Sequence, residues 1–410
     1  MAKKKPYSLF EVTGVELEYM VVDKDTLRVS ATVDELFMDT VGKIVSDVER
    51  GDVEWSNELT AHVVEMKTAQ PTASIAAFEP KFRAEVQAMN TTLAKRNRML
   101  LPGAAHPFMD PLTESVLWKH DHNEVYALYN TIFDCRGHGW SNLQSTHLNL
   151  PFANDEEFAK LHTAIRMVLP IIPGLSASSP ILDGKPTGML DTRMHHYLTH
   201  QQRLPQLMGS LIPEAVFSQE DYYRVIFEPI ARALQPFDKD QVMDYHFANS
   251  RGAIARFDRG AIEIRVVDIQ ECPSADLAIA EMIVAALKAM VAGKWVSTYL
   301  QRAWHESDLL AIFKEVIVKG GETVIVNKDF LLMFGLFRES ATVQELWRHL
   351  YQQLRSDLSE GARIRIGHIL DHGCLAQRIL ARTGDQPTRE RIIEVYRELA
   401  TCLQEDKQFV

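Results

Sequence analysis

Three separated segments put polar residues at alternate positions in otherwise apolar surroundings, and that pattern restricts the fold more than any other feature of the chain. Residues 13–22 read T-G-V-E-L-E-Y-M-V-V, with Val15, Leu17 and Tyr19 interleaved with Glu16 and Glu18. Residues 145–152, S-T-H-L-N-L-P-F, set His147 and Asn149 against Leu148 and Leu150. Residues 261–268, A-I-E-I-R-V-V-D, set Glu263 and Arg265 against Ile262, Ile264 and Val266. Successive side chains of a strand point to opposite faces, so each segment reads as a half-buried strand with its polar pair on one side. On spacing alone, such a pair is either a solvated strand face or one wall of a shared polar concavity.

Residues 53–68 alternate more loosely. From Phe82 through Val86, Met89 and Leu93 to Leu100 the spacing predicts one long helix packed on the sheet, stopped by Pro102-Gly103. A buried helix is expected after Pro273, with Ser274 as its N-cap and Gly293 at its end. Its apolar run, residues 277–291, carries Glu281 and Lys288 and is too short to span a bilayer. Residues 343–358 and 388–404 have amphipathic helical spacing, while 176–192, rich in Ser, Gly, Pro and Asp, read as a structured loop. With no repeat and no sharp shift in composition, residues 1–410 are expected to form a single catalytic domain. Residues 8–272 would be its sheet-rich core and 273–410 a mainly helical layer.

The charge count of 44 basic and 55 acidic residues gives −11, which argues against a broad face for nucleic acid. Cys135, Cys272, Cys374 and Cys402 have no paired metal-binding spacing and read as reduced thiols. The start, residues 1–7, is basic without an apolar leader core, so a cytoplasmic chain with no membrane partner is expected.

Glu16, Glu18, Glu58, Glu65, His147 and Glu263 are hard oxygen ligands plus one imidazole, a set suited to Mg²⁺ or Mn²⁺. Two carboxylates about 4 Å apart repel by roughly 4 kcal/mol at an effective dielectric of 20, so convergence of these acids would call for a cation.

Six blocks in order resemble the glutamate–cysteine ligase type 2 family of carboxylate–amine ligases. They are G-V-E-L-E-Y-M at 14–20, E-L-T-A-H-V-V-E-M-K-T at 58–68, G-A-A-H-P-F at 103–108 and T-H-L-N-L at 146–150. L-S-A-S-S-P at 175–180, with T-G and Arg193 downstream, and G-A-I-E-I-R-V-V-D at 260–268 complete the series; H-G-C-L-A-Q-R at 372–378 is a weaker echo. The resemblance implies an α+β, glutamine-synthetase-like catalytic fold, a curved antiparallel sheet forming a funnel covered by helices. It also implies that the six residues named above hold Mg²⁺. Arg265, with Arg256 and Arg251, would stabilise charge during phosphoryl transfer, and Ser178, Arg193 and Arg265 would meet the nucleotide. The implied reaction uses ATP to activate the γ-carboxylate of glutamate as an acyl phosphate, which cysteine or another amine converts to an amide. The expected partners are these small molecules, and a homo-oligomer is compatible with all of this.

The chain departs from the family pattern at Asn149, where many relatives have a second histidine, and at Met189-Leu190-Asp191. Tyr197 and the neighbouring His195, His196 and His200 are also unusual, and the histidines read either as acceptor or product contacts or as a plain loop or helix face. His106-Pro107 reads as a structural turn, and Arg378 either as a substrate contact or, more simply, as a helix-surface arginine. Two other functions fit the same fold group: a guanidino-type phosphotransferase, and a nucleotide-binding regulatory homologue without catalysis.

Overall fold

The computed structural model describes residues 6–121 and 123–410, so residues 1–5 of the basic start lie outside the described residues. Ten strands organise the first two thirds of the chain: β1 (Gly14–Asp23), β2 (Asp47–Arg50), β3 (Val53–Asn57), β4 (Val63–Thr68), β5 (Arg98–Leu101), β6 (Ser145–Pro151), β7 (Ile181–Leu182), β8 (Lys185–Pro186), β9 (Ala253–Arg256) and β10 (Ala261–Asp268). Eight of them form one antiparallel sheet in the order β2-β3-β4-β1-β6-β10-β9, with β5 sharing an edge of β1. The three alternating segments are β1, β6 and β10, and they are neighbours in that sheet.

Alternation decides which face is which. Val15, Leu17, Tyr19, Leu148, Leu150, Ile262 and Ile264 are buried in one apolar cluster with Phe82, Val86, Met89, Ile279 and Ile283 of the covering helices. At about 1.5–3 kcal/mol for each large apolar side chain buried, this is the face that holds sheet to helices. The helix Pro273–Val291 runs through that layer against helices Glu79–Ala94, Asp155–Val168 and Glu360–His372. It begins with Cys272 at the N-cap and Pro273 at its first position, two residues earlier than a Ser274 cap. Ser274 is used otherwise: its N–H donates to Asp406 and its hydroxyl accepts from Arg365.

The expected helix from Phe82 to Leu100 is two elements. It ends at Ala94, Asn97 takes a left-handed φ of 59°, and Arg98–Leu101 returns as β5 beside β1. Asparagine tolerates that conformation, and Leu100 and Leu101 gain a strand partner in exchange for helical turns. Residues 176–192 hold the short β7–β8 hairpin. From Pro273 onward the chain is mainly helical, including Val343–Leu354, started by a Thr342–Glu345 capping box, and Arg389–Glu405, capped by Thr388. Among the described residues no helix is long and apolar enough to cross a membrane.

Candidate functional site

The polar face of the sheet is the floor of a cavity of about 1010 Å³. Strand register builds it. Pairing of β1 with β6 sets Glu16 opposite His147, pairing of β1 with β4 sets Glu18 opposite Glu65, and β10 brings Glu263 opposite Asn149. Past Ile264 the register of β10 shifts, so that Arg265 and Val266 together span the place of His147. Such a bulge re-aims a side chain. Here the Arg265 N–H donates to the Gly252 carbonyl at 2.9 Å and its guanidinium pairs with Glu263. A Cβ on Gly252 would lie 2.7 Å from Val266 Cγ1, so the bulge needs a glycine there.

The five acids and one imidazole singled out as metal ligands all line this cavity, together with Arg193, Arg256 and Arg265. His147 Nδ1 is 2.9 Å from Glu16 Oε2 and 3.9 Å from Glu263 Oε1, and its Nε2 is 3.8 Å from Glu18 Oε1. Donor atoms of Glu16, His147 and Glu263, and of Glu18, Glu65 and His147, lie within 4.8 Å of one another in each trio. Glu58, in the β3–β4 connection, lines the same space outside both trios. Supporting bonds orient the ligand atoms: Asn149 donates to Glu16 at 2.9 Å, the Ser145 N–H to Glu18 at 2.7 Å, and Ser56 to Glu65 at 2.7 Å.

Burial first, and then neighbouring carboxylates, push Glu16 and Glu58 upward; burial and Glu16 take Glu65 to about 7. Burial also raises Glu18, more than His147 lowers it. Glu263 goes the other way: burial alone would raise it, but Arg265 and Arg256 outweigh that and hold it near 2. Carboxylate oxygens and an imidazole nitrogen facing one another are lone pairs without enough protons between them. A divalent cation that prefers oxygen ligands fits this donor set.

Arg251 and Ser178 stand apart from the cavity lining. Arg251 pairs with Glu214 at 2.6 Å, and the Ser178 hydroxyl donates to the Ile269 carbonyl at 2.7 Å. Of the three unusual histidines, His200 lines the cavity, and His195 and His196 do not. His106 is a buried turn residue: Nε2 bonds the Leu27 carbonyl at 2.7 Å and Nδ1 accepts the Phe108 N–H at 3.1 Å. Arg378, expected on a helix surface, is buried against Glu271 at 2.6 Å, because the C-terminal segment folds over it and offers the Phe409 carbonyl. Lys67 also lines the cavity, 3.3 Å from Glu65, and sequence reasoning overlooked it. The period of two from Glu65 was signal enough to put it on that face.

This mixed fold, with an antiparallel sheet and helices, is the fold of a ligase of known structure. Glutamate–cysteine ligase from Francisella tularensis, solved in complex with AMP, matches it with a TM-score of 0.57 at 13% identity, over 96% of this chain and 90% of that one. The chain belongs to glutamate–cysteine ligase family 2, whose profile matches residues 12–398. An uncharacterised protein of Archaeoglobus fulgidus is 28% identical over 97% of this chain and 100% of its own length. A Rubrobacter xylanophilus protein provisionally named glutamate–cysteine ligase 2-3 is 24% identical, with 68% of each chain covered.

Proposed function

We propose that the protein is an ATP-dependent carboxylate–amine ligase that activates the γ-carboxylate of glutamate as an acyl phosphate and joins it to an amine. The observation that carries this reading is the convergence, by strand register, of Glu16, Glu18, Glu65, His147 and Glu263 beside Arg265 on one cavity floor. Family membership and the fold shared with an AMP-bound ligase support it. On this reading the curved sheet is the funnel of a glutamine-synthetase-like fold, and residues 1–410 act as one catalytic domain.

Glu16, Glu18, Glu58, Glu65, His147 and Glu263 would hold Mg²⁺ or Mn²⁺, which when bound neutralises phosphate charge and orients the terminal phosphates of ATP. Arg265, aimed by its bulge, stabilises charge on the phosphoryl group as it moves to the carboxylate oxygen, with Arg256 and Arg193 beside the same space. The amine nitrogen then attacks the acyl carbon, the carbon–oxygen bond to phosphate breaks, and the amine proton leaves to solvent. The cavity volume, at the upper end for small-molecule sites, leaves room for nucleotide and two small substrates together.

The test is release of ADP and phosphate by purified protein given ATP, Mg²⁺, glutamate and a panel of amines. Amine-dependent release with an amide product is expected. A stable phosphorylated product would indicate a phosphotransferase, and nucleotide binding without turnover on the full panel a regulatory protein; either would overturn the ligase reading.

A further inference from the structure

One wall of the cavity is made of rings, and local packing explains why. In the short helix His138–Ser141, Gly139 lets the chain approach the Thr192–Tyr197 helix: a Cβ there would fall 2.6 Å from His200 Cβ and 2.9 Å from the His196 carbonyl. Trp140 is thereby laid on His200, ring centroids 4.6 Å apart, and His200 on Tyr197 at 4.3 Å. Tyr129, from the helix Asn123–Phe133, meets Trp140 at 5.3 Å. All four line the cavity.

Their donor hydrogens are given to backbone carbonyls. Tyr197 donates to the Ser250 carbonyl at 3.0 Å, Trp140 to that of His200 at 3.1 Å, Tyr129 to that of Phe247 at 3.4 Å, and His200 Nδ1 bonds the Tyr197 carbonyl. What remains for a ligand is ring surface, the acceptor lone pairs of the two phenol oxygens, and the Nε2 of His200, left as an acceptor by the tautomer that donates from Nδ1. Burial keeps that imidazole neutral, its pKa down to about 4.

The wall adjoins the arginines: Tyr129 donates to the Phe247 carbonyl, and the Arg256 guanidinium, 3.2 Å from Glu263, lies 4.6 Å over the Phe247 ring. Arg256 gives its Nε and Arg265 one terminal nitrogen to the carboxylate of Glu263, which leaves the other N–H groups of each guanidinium fork to donate. An amine that attacks an acyl phosphate held beside Arg265 has this surface next to it. Ring faces favour a flat apolar side chain, and the open donors of the two guanidinium forks favour a carboxylate.

Resting on the ligase reading above, we infer that the acceptor is an aromatic α-amino acid, seated on Trp140, Tyr129, Tyr197 and His200 with its carboxylate toward Arg256 and Arg265.

The experiment compares phenylalanine, tyrosine, phenylethylamine, cysteine and spermidine as acceptors with ATP, Mg²⁺ and glutamate. Phenylalanine or tyrosine is expected to exceed cysteine in kcat/KM by at least about tenfold, and phenylethylamine, lacking the carboxylate, to fall about tenfold below phenylalanine. Trp140→Ala should collapse the phenylalanine-to-cysteine ratio, and Trp140→Phe should keep it, which separates a role in selectivity from a folding defect. Cysteine or spermidine equal to or better than phenylalanine, or a ratio indifferent to Trp140→Ala, overturns the inference. If no amine supports turnover the ligase reading itself fails. Calorimetric titration of phenylalanine and of cysteine into protein holding Mg²⁺ and a non-hydrolysable ATP analogue then decides the wall alone. Saturable heat with phenylalanine only upholds it, and absence of such heat overturns it.

Discussion

Two buried charged clusters in this chain are built in opposite ways. Behind the cavity, Arg378 meets Glu271 at 2.6 Å and the Phe409 carbonyl, while Glu271 also accepts the Phe409 N–H at 3.1 Å. Arg193 is likewise matched with Asp268, whose other oxygen takes the Ser178 N–H and the Ser179 hydroxyl. Glu271 and Asp268 each have an arginine within the chain as counterpart. On the cavity floor Glu16, Glu18 and Glu65 crowd around one imidazole with Glu58 acting on all three, and Lys67 lies 3.3 Å from Glu65. A cluster balanced from within closes the fold; one with surplus acid is completed from outside.

Substitutions at the two clusters should therefore behave differently. Arg378→Ala strands Glu271 in a dry interior and should cost about 3–5 kcal/mol in urea unfolding, the usual penalty for breaking one side of a buried pair. A loss under about 1 kcal/mol would mean that the balanced cluster is not what holds the C-terminal segment. Glu16→Gln keeps a polar group for Asn149 and removes one of the mutually repelling acids. Without divalent cations it should cost less than about 1 kcal/mol. The contrast appears on adding Mg²⁺: at a hundredfold excess over its Kd, the wild type should gain about 2.7 kcal/mol and Glu16→Gln much less. Equal gains in both proteins would remove Glu16 from the ligand set.

How much of this was legible beforehand follows from what each feature depends on. The pairs Glu16/Glu18, His147/Asn149 and Glu263/Arg265 were readable because alternation is a local property with a period of two. That Glu16 faces His147 and Glu18 faces Glu65 was not, since register arises only when strands distant in sequence pair. The same holds for the bulge at Arg265. Arg378 and Arg251 are the converse: a helix arginine and a loop arginine look solvent-bound or catalytic until the chain supplies Glu271 and Glu214. Asn97, which ends a helix early, and Tyr129 with Trp140, whose helical spacing suits a core as well as a cavity wall, needed tertiary context too.

Neutral histidines give a pH-dependent version of the same contrast. His106 is satisfied only as a neutral ring, and burial lowers its pKa from 6.5 to about 4, against the backbone bond to Leu27 that raises it. The folded state thus binds fewer protons than the unfolded one between those values, so its contribution is intact above about pH 6.5 and is lost as pH falls toward 4. By pH 5 the loss should be about 2 kcal/mol. His106→Gln, whose Nε2 can still reach the Leu27 carbonyl, should flatten that part of the stability profile; an unchanged slope would clear His106 of the effect.

The smallest effect sharpens the boundary between the clusters. Ser178 hangs from Asp268 on the balanced side, its N–H donating to that carboxylate at 2.8 Å and its hydroxyl accepting the Ala104 N–H at 3.1 Å. Ser178→Ala leaves the first bond intact and strips the buried Ala104 N–H of its partner, for a cost of about 1 kcal/mol or slightly more. Because the hydroxyl lies outside the cavity lining, KM for ATP should stay within about twofold of the wild type while the unfolding midpoint drops. A large rise in KM at unchanged stability would instead bring Ser178 to the nucleotide and extend the functional surface past Asp268, into what is here the structural half.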